Sequence, residues 1–222
     1  MKIILPILFL IAASIGVYFY YELFDVFVKQ SFFSWLGADW FLRLSIIFLF
    51  AYSFFNLLSL ILKKINRVVL FFISLAIGFG ISFINPIYVD DYGIAQKTEF
   101  MLQDNFIAEN IAEDGYVVAA FFTTTCPFCQ AACKNFSIND KKEKQPKTIL
   151  FFPGNKEDSE NFLKDANATF EYTLIADQTT FTDNSGYSFP SVYLLKDKKI
   201  INHWIGAEIN YSVLDYLASL KD

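Results

Sequence analysis

The sequence predicts a chain of two parts: an α-helical membrane region of three spans over residues 1–89 and, after a linker at 90–97, an α/β domain with a mixed central sheet over residues 98–222. Three observations carry this. The 222 residues are 55% hydrophobic and 19% aromatic, more apolar than one soluble core requires, so part of the chain belongs in lipid. Charge divides near Asp90: residues 1–89 hold 6 Lys and Arg against 3 Asp and Glu, whereas residues 90–222 hold 12 against 20. The second part then alternates strand-like and helix-like patterns over about 130 residues, enough for one core. Nothing in it combines a basic stripe with interleaved aromatics, so nucleic acid is not a partner that the composition suggests.

The three spans are read at Ile3 to Tyr21, Trp40 to Leu62 and Val68 to Val89, each roughly 20 residues and nearly free of charge, as a hydrocarbon core of about 30 Å requires. Lys63, Lys64 and Arg67 crowd the second connection, while Glu22, Asp25 and Asp39 outweigh Lys29 in the first. By the positive-inside bias the second connection is cytoplasmic. The N-terminus is then cytoplasmic and everything beyond Asp90 lies outside, the topology of a multi-pass protein of a bacterial inner membrane with a periplasmic domain. A cleaved signal peptide is the alternative for the first segment, since Lys2 precedes an apolar run with Ala12, Ala13 and Ser14. Either way the C-terminal domain ends on the same side. Between the first two spans, Phe24, Phe27, Phe32, Phe33, Trp35 and Leu36 suit a short helix lying in the interface. Arg43, the one charge inside a span, lies about one turn from Trp40 and is expected to snorkel outward.

In the second part, Thr98 to Ala112 has helical rhythm through Met101, Leu102, Phe106, Ile107 and Ile111. Tyr116 to Thr123 is a continuous run rich in Val and Phe, suited to a strand buried on both faces. Gln130 to Phe136 reads as helix, Lys147 to Phe152 as a second buried strand, and Ser159 to Ala166 as a helix with Phe162 and Leu163 inward. A strand-helix-strand-helix series implies parallel pairing. A strand at Tyr172 to Ala176 and a polar loop follow. Ser191 to Leu195 and Lys199 to Trp204 then form a hairpin about Lys196, Asp197 and Lys198, and Tyr211 to Leu220 closes the chain as a helix.

The chemistry falls at the first strand-to-helix junction, where Cys126-Pro127-Phe128-Cys129 follows directly on the apolar strand. A helix N-terminus aims unpaired N–H groups and the positive end of the helix dipole at the Cys126 sulfur, which makes it the nucleophile. Cys129, one turn further on the same face, is close enough to form the disulfide that releases a bound partner. Pro127 fits the first turn, where its missing N–H is not needed.

These residues carry a resemblance to the thioredoxin superfamily, and within it to the extracytoplasmic TlpA and ResA type of membrane-tethered thiol-disulfide oxidoreductase. The matching features are the strand into Cys126-Pro127-Phe128-Cys129, the extra strand and helix of residues 147–166, the strand and loop of residues 172–177, Ser188-Phe189-Pro190-Ser191, and the final hairpin and helix. The resemblance covers roughly residues 98–222 and implies a thioredoxin-like fold. It also implies a cis Pro190 facing the redox pair, substrate contact through Phe189, Pro190 and Phe128, and reduction of protein disulfides without a cofactor. A multi-span region ahead of such a domain also resembles DoxX-like or MauE-like modules, although those usually have four spans. Two departures stand out. Thr125 occupies the place of a usual Trp, and Ala120 and Ala132 stand where relatives carry a buried acid.

Other readings of the residues stay open beside this one. A bare CxxC also suits half a zinc site or a structural disulfide, but zinc would need further ligands and only Cys133 and His203 remain. No metal is therefore expected. Cys133 reads as a small core residue or as a third redox thiol, and His203 as structural. The function is either protein-disulfide exchange at the membrane or a non-catalytic binding and assembly module using the same fold. Residues 1–89 contain no cysteine, so electrons for the pair would come from a separate cysteine-bearing membrane protein.

Overall fold

A computed structural model describes residues 4–30, 34–82, 84 and 102–220. The chain divides into two compact units, Met1–Tyr88 and Val89–Asp222. The expected linker at 90–97 lies outside the described residues, as do Phe32, Phe33 and the end of the expected third span.

Among its described residues the first unit holds four helices: α1 (Ile4–Tyr18), α2 (Tyr20–Gln30), α3 (Trp35–Ile61) and α4 (Arg67–Ser82). Among the described residues, α3 alone is a single helix long and apolar enough to cross a membrane; its 27 residues reach about 40 Å. This corrects the expectation of three full spans. α1 stops after 15 residues and the chain bends by 79° into α2. The bend follows from a change of pattern that hydropathy averages away: α2 buries Tyr20, Phe24 and Val28, four residues apart, and carries Glu22, Asp25 and Lys29 beside them. α4 has 16 residues, about 24 Å. Both α1 and α4 pack along α3. At Gly78 the α3 backbone comes so close that a Cβ would stand 2.9 Å from the Ile47 carbonyl oxygen.

Arg43 does not snorkel. It is fully buried, because Asp39 lies one turn earlier and supplies the countercharge. Its Nε donates to Asp39 Oδ2 at 2.8 Å, one terminal nitrogen donates to the Ser82 carbonyl at 2.7 Å, and the guanidinium stands 5.0 Å from the Tyr20 ring centre. The Tyr20 hydroxyl donates to Asp39 Oδ1 at 2.5 Å. One ion pair thus ties α2 and α4 to α3.

The second unit is built on a five-stranded mixed sheet in the order β3-β2-β1-β4-β5. Its elements are α5 (Asp104–Asn110), β1 (Tyr116–Phe121), α6 (Pro127–Lys141), β2 (Lys147–Pro153), α7 (Lys156–Asp165), β3 (Glu171–Ile175), α8 (Gln178–Ser185), β4 (Ser191–Lys196), β5 (Lys199–Ile205) and α9 (Tyr211–Ser219). β1 pairs parallel with β2 and β2 with β3, while β4 runs antiparallel to both β1 and β5. This is the thioredoxin-like arrangement that the sequence led us to expect.

Alternate residues of β1 face opposite layers. Phe121 packs on Phe106 of α5 and Phe181 of α8, and Phe122, one residue beyond β1, packs on Phe136 of α6 and Phe162 of α7. The helix α8 replaces the expected polar loop. Its sequence, QTTFTDNS, has one large apolar residue and low helix propensity. Tertiary packing decides instead: Asp177 accepts from the Thr180 amide at 2.8 Å as a cap, and Phe181 enters the core with no exposed surface.

If the Arg43–Asp39 pair has this role, Asp39→Ala should lower the stability of the full chain in mixed micelles by about 3–5 kcal/mol, because it leaves a buried cation uncompensated. The double variant Asp39→Leu/Arg43→Met should recover most of that loss. A dodecyl sulfate unfolding titration measures both.

Candidate functional site

Phe122 prolongs the line of β1 by donating to the Phe151 carbonyl at 3.0 Å, and the chain then turns through Thr123, Thr124 and Thr125. The Cys126 amide closes this turn on the Thr123 carbonyl at 3.2 Å. Cys126 itself is the N-cap of α6, with extended backbone (φ −88°, ψ 115°) and Pro127 in the first turn. Its sulfur accepts the Cys129 N–H at 3.2 Å, which satisfies one of the free amides of the first turn. The helix end and the strand end together fix where this sulfur points.

The two cysteines differ in access. Cys126 is half-buried, whereas Cys129 has no exposed surface. Burial, and then the neighbouring Cys126 side chain, push the Cys129 thiol well above the ordinary thiol range; the amide and hydroxyl of Thr123 act on it in the opposite sense. Cys133 lies one turn further into α6 and is also fully buried, and burial alone pushes its thiol up to about 12. Ala120 and Ala132 are both buried, so neither position brings a carboxylate to Cys129.

A distant segment completes the site. Phe121 of β1 lies opposite Ser191 of β4, so Pro190 arrives beside the residues that follow Phe121. The Phe189–Pro190 peptide is cis, and the Phe189 carbonyl oxygen stands 3.9 Å from the Cys126 sulfur. The Phe189 ring stacks on Phe181 at 5.5 Å. Of the residues singled out from the sequence, Cys126, Cys129, Phe189 and Pro190 therefore converge. Phe128 joins them at the surface with 65% of its area exposed, and Tyr187, which the sequence reading passed over, is 84% exposed three residues before Pro190.

Two further residues were not legible as part of this neighbourhood. Thr123 carries no motif, and only its place three residues before Cys126 marks it. His203 reads as structural from the sequence; its Nε2 lies 2.9 Å from the hydroxyl of Ser191, the residue after Pro190. Among the described residues no group of three or more His, Cys, Asp or Glu side chains could hold a metal ion.

No family model and no curated protein matches this chain. Some solved structures are similar to about half of it. A secreted Mycobacterium tuberculosis disulfide oxidoreductase, homologous to E. coli DsbE, is 16% identical over 47% of this chain and 81% of that one, with a TM-score of 0.40. StoA from Bacillus subtilis is 20% identical over 50% and 87%, with a TM-score of 0.40. A secreted thiol-disulfide isomerase from Corynebacterium glutamicum is 15% identical over 50% and 72%, again at 0.40. At these scores the fold assignment rests on the strand order and the junction described above.

Unequal burial should be visible as unequal alkylation. On the reduced, folded chain at pH 8, iodoacetamide should modify Cys126 and spare Cys129 and Cys133; a thiol pushed to about 12 keeps only roughly one part in ten thousand as thiolate at that pH. Peptide mass mapping before and after unfolding reads the three sites separately.

Proposed function

We propose that this chain is a membrane-anchored, extracytoplasmic thiol-disulfide oxidoreductase that reduces protein disulfides through Cys126 and Cys129. One observation carries the reading: the sulfur of half-buried Cys126, at the N-cap of α6, accepts the amide of a fully buried cysteine one turn on and stands beside the cis Phe189–Pro190 peptide.

In the reducing direction the Cys126 thiolate attacks one sulfur of a substrate disulfide. The substrate S–S bond breaks, its leaving sulfur takes up a proton, and Cys126 is left in a mixed disulfide. Cys129 then gives up its proton and attacks the Cys126 sulfur. The mixed bond breaks, the second substrate thiol leaves protonated, and the pair has delivered two electrons while becoming a disulfide. The burial of Cys129 suits the second step, because only a sulfur already bonded to its neighbour is within its reach. Phe128 and the Phe189–Pro190 segment are the surfaces against which the substrate would lie.

Anchoring is supported by the length of α3 and by large apolar side chains exposed along the first unit, among them Leu8, Phe48, Val68 and Phe72. Lys63, Lys64 and Arg67 favour a cytoplasmic position for the connection between α3 and α4 in an inner membrane; a thioredoxin-like unit on the other side then requires a return crossing, which the uncharged sequence 68–89, longer than the 16 residues of α4, would supply. All three cysteines of the chain lie between residues 126 and 133. Recharging the pair therefore calls for a dithiol on a separate membrane protein.

In intact cells Cys129→Ser should accumulate mixed disulfides with exported proteins, and Cys126→Ser should not. Diagonal electrophoresis separates the trapped partners. Equal trapping by both variants would contradict the assigned roles, cytoplasmic partners would contradict the location, and trapping by neither would favour a module that binds without exchange.

A further inference from the structure

Ser191 follows the cis peptide directly, and its side chain has no exposed surface. Its hydroxyl meets His203 Nε2 at 2.9 Å, on the neighbouring strand β5. The imidazole lies flat on the Tyr193 ring, with 3.9 Å between centres and 2° between planes, and is 4% exposed. Its Nδ1 finds no partner among the described residues, so the Ser191 hydroxyl is the hydrogen bond that holds this ring. Burial pushes His203 down to about 4, so the ring is neutral at pH 7, and either neutral tautomer can make that one bond with a hydroxyl. On the same side of β4, the Pro190 carbonyl accepts the Gly206 amide at 2.7 Å. The segment that faces Cys126 is thus tied down from behind, once through the His203 side chain of β5 and once through the backbone of Gly206, the residue after β5.

That segment offers the Phe189 carbonyl, 3.9 Å from the reacting sulfur, and the exposed residues Tyr187 and Phe128 lie two before Phe189 and one before Cys129 in the chain. A small disulfide needs only the sulfur. A polypeptide disulfide also needs somewhere to set its backbone, and a carbonyl fixed beside the sulfur is an acceptor for one of its amides. We propose that the buried Ser191–His203 pair positions the Phe189–Pro190 segment so that Cys126 exchanges with cysteines carried by an extended polypeptide in preference to small disulfides. Both residues act through Phe189 and touch no substrate themselves. The inference rests on the exchange reading of Cys126 and Cys129 given above.

The test compares two oxidants on the full-length reduced chain in detergent micelles. One is 5,5′-dithiobis(2-nitrobenzoate); the other is an unstructured peptide whose single cysteine carries the same nitrothiobenzoate group. Both release the same chromophore. The ratio of peptide to small-disulfide rate constants should fall about tenfold in Ser191→Ala and in His203→Leu, the size of one lost hydrogen bond. It should return to within about twofold of the parent in Ser191→Thr and in His203→Gln, which keep a hydroxyl and an amide nitrogen at the same places. A ratio unchanged in Ser191→Ala, or both rates falling in parallel, would overturn the inference. If His203→Leu does not fold, the two Ser191 variants, which change little volume, decide the matter. A parent chain that reacts with neither oxidant would instead defeat the exchange reading.

Discussion

The register of β1 against β4 is the constraint on which the site depends. Phe121 lies opposite Ser191, so the chain leaves β1 toward Cys126 at the end of the sheet where it enters β4 from Pro190. Two segments more than sixty residues apart therefore meet at one sulfur. A slip of one residue would turn every side chain of β4 to the other face, removing Tyr193 and Leu195 from the core shared with Phe121. The core and the site specify the same register. That is why a sheet whose central strands are buried Val, Phe, Leu and Ile can hold a reactive group at its end without a dedicated scaffold.

Chemistry at that end of the sheet is divided by burial. The first sulfur is reachable and receives an amide from the helix it begins; the second is reachable only from the first. No carboxylate comes from Ala120 or Ala132, both buried, to move the proton of the second thiol. Thr123, with its amide and hydroxyl turned to Cys129, is the polar neighbour that remains to oppose the burial cost. The first unit meets a comparable problem differently. Arg43 and Asp39 are buried as a pair, each supplying the partner that makes the other tolerable in apolar surroundings.

The parts of this structure that the sequence revealed are those where pattern and burial coincide. β1 and β2 were readable because runs of consecutive buried apolar residues suit central strands, and the Cys126–Cys129 junction was readable because it follows such a run directly. α8 was not: a single phenylalanine among threonines, Asp and Asn gives no periodicity, and its helix is imposed by a cap and by the space around Phe181. The break after α1 is not legible because Tyr18, Phe19, Tyr20 and Tyr21 read as the aromatic belt that ends a span, while the amphipathic order of the residues that follow sets the new direction. The burial of Arg43 does not follow from its distance to the interface; it follows from its partner Asp39 one turn earlier. His203 carries no local signal of its link to Ser191, twelve residues away, because that contact exists only once the hairpin has paired.

The central claim is that Cys126 and Cys129, and no other pair, form one reversible two-electron couple. A redox titration of the full-length chain in dithiol buffers, followed by alkylation and mass analysis, addresses it directly. The account predicts a single transition in which a tenfold change in the equilibrium corresponds to about 30 mV. That transition should vanish in Cys126→Ser and in Cys129→Ser, and remain in Cys133→Ser. A chain that shows no transition, or one that is lost with Cys133, would contradict it.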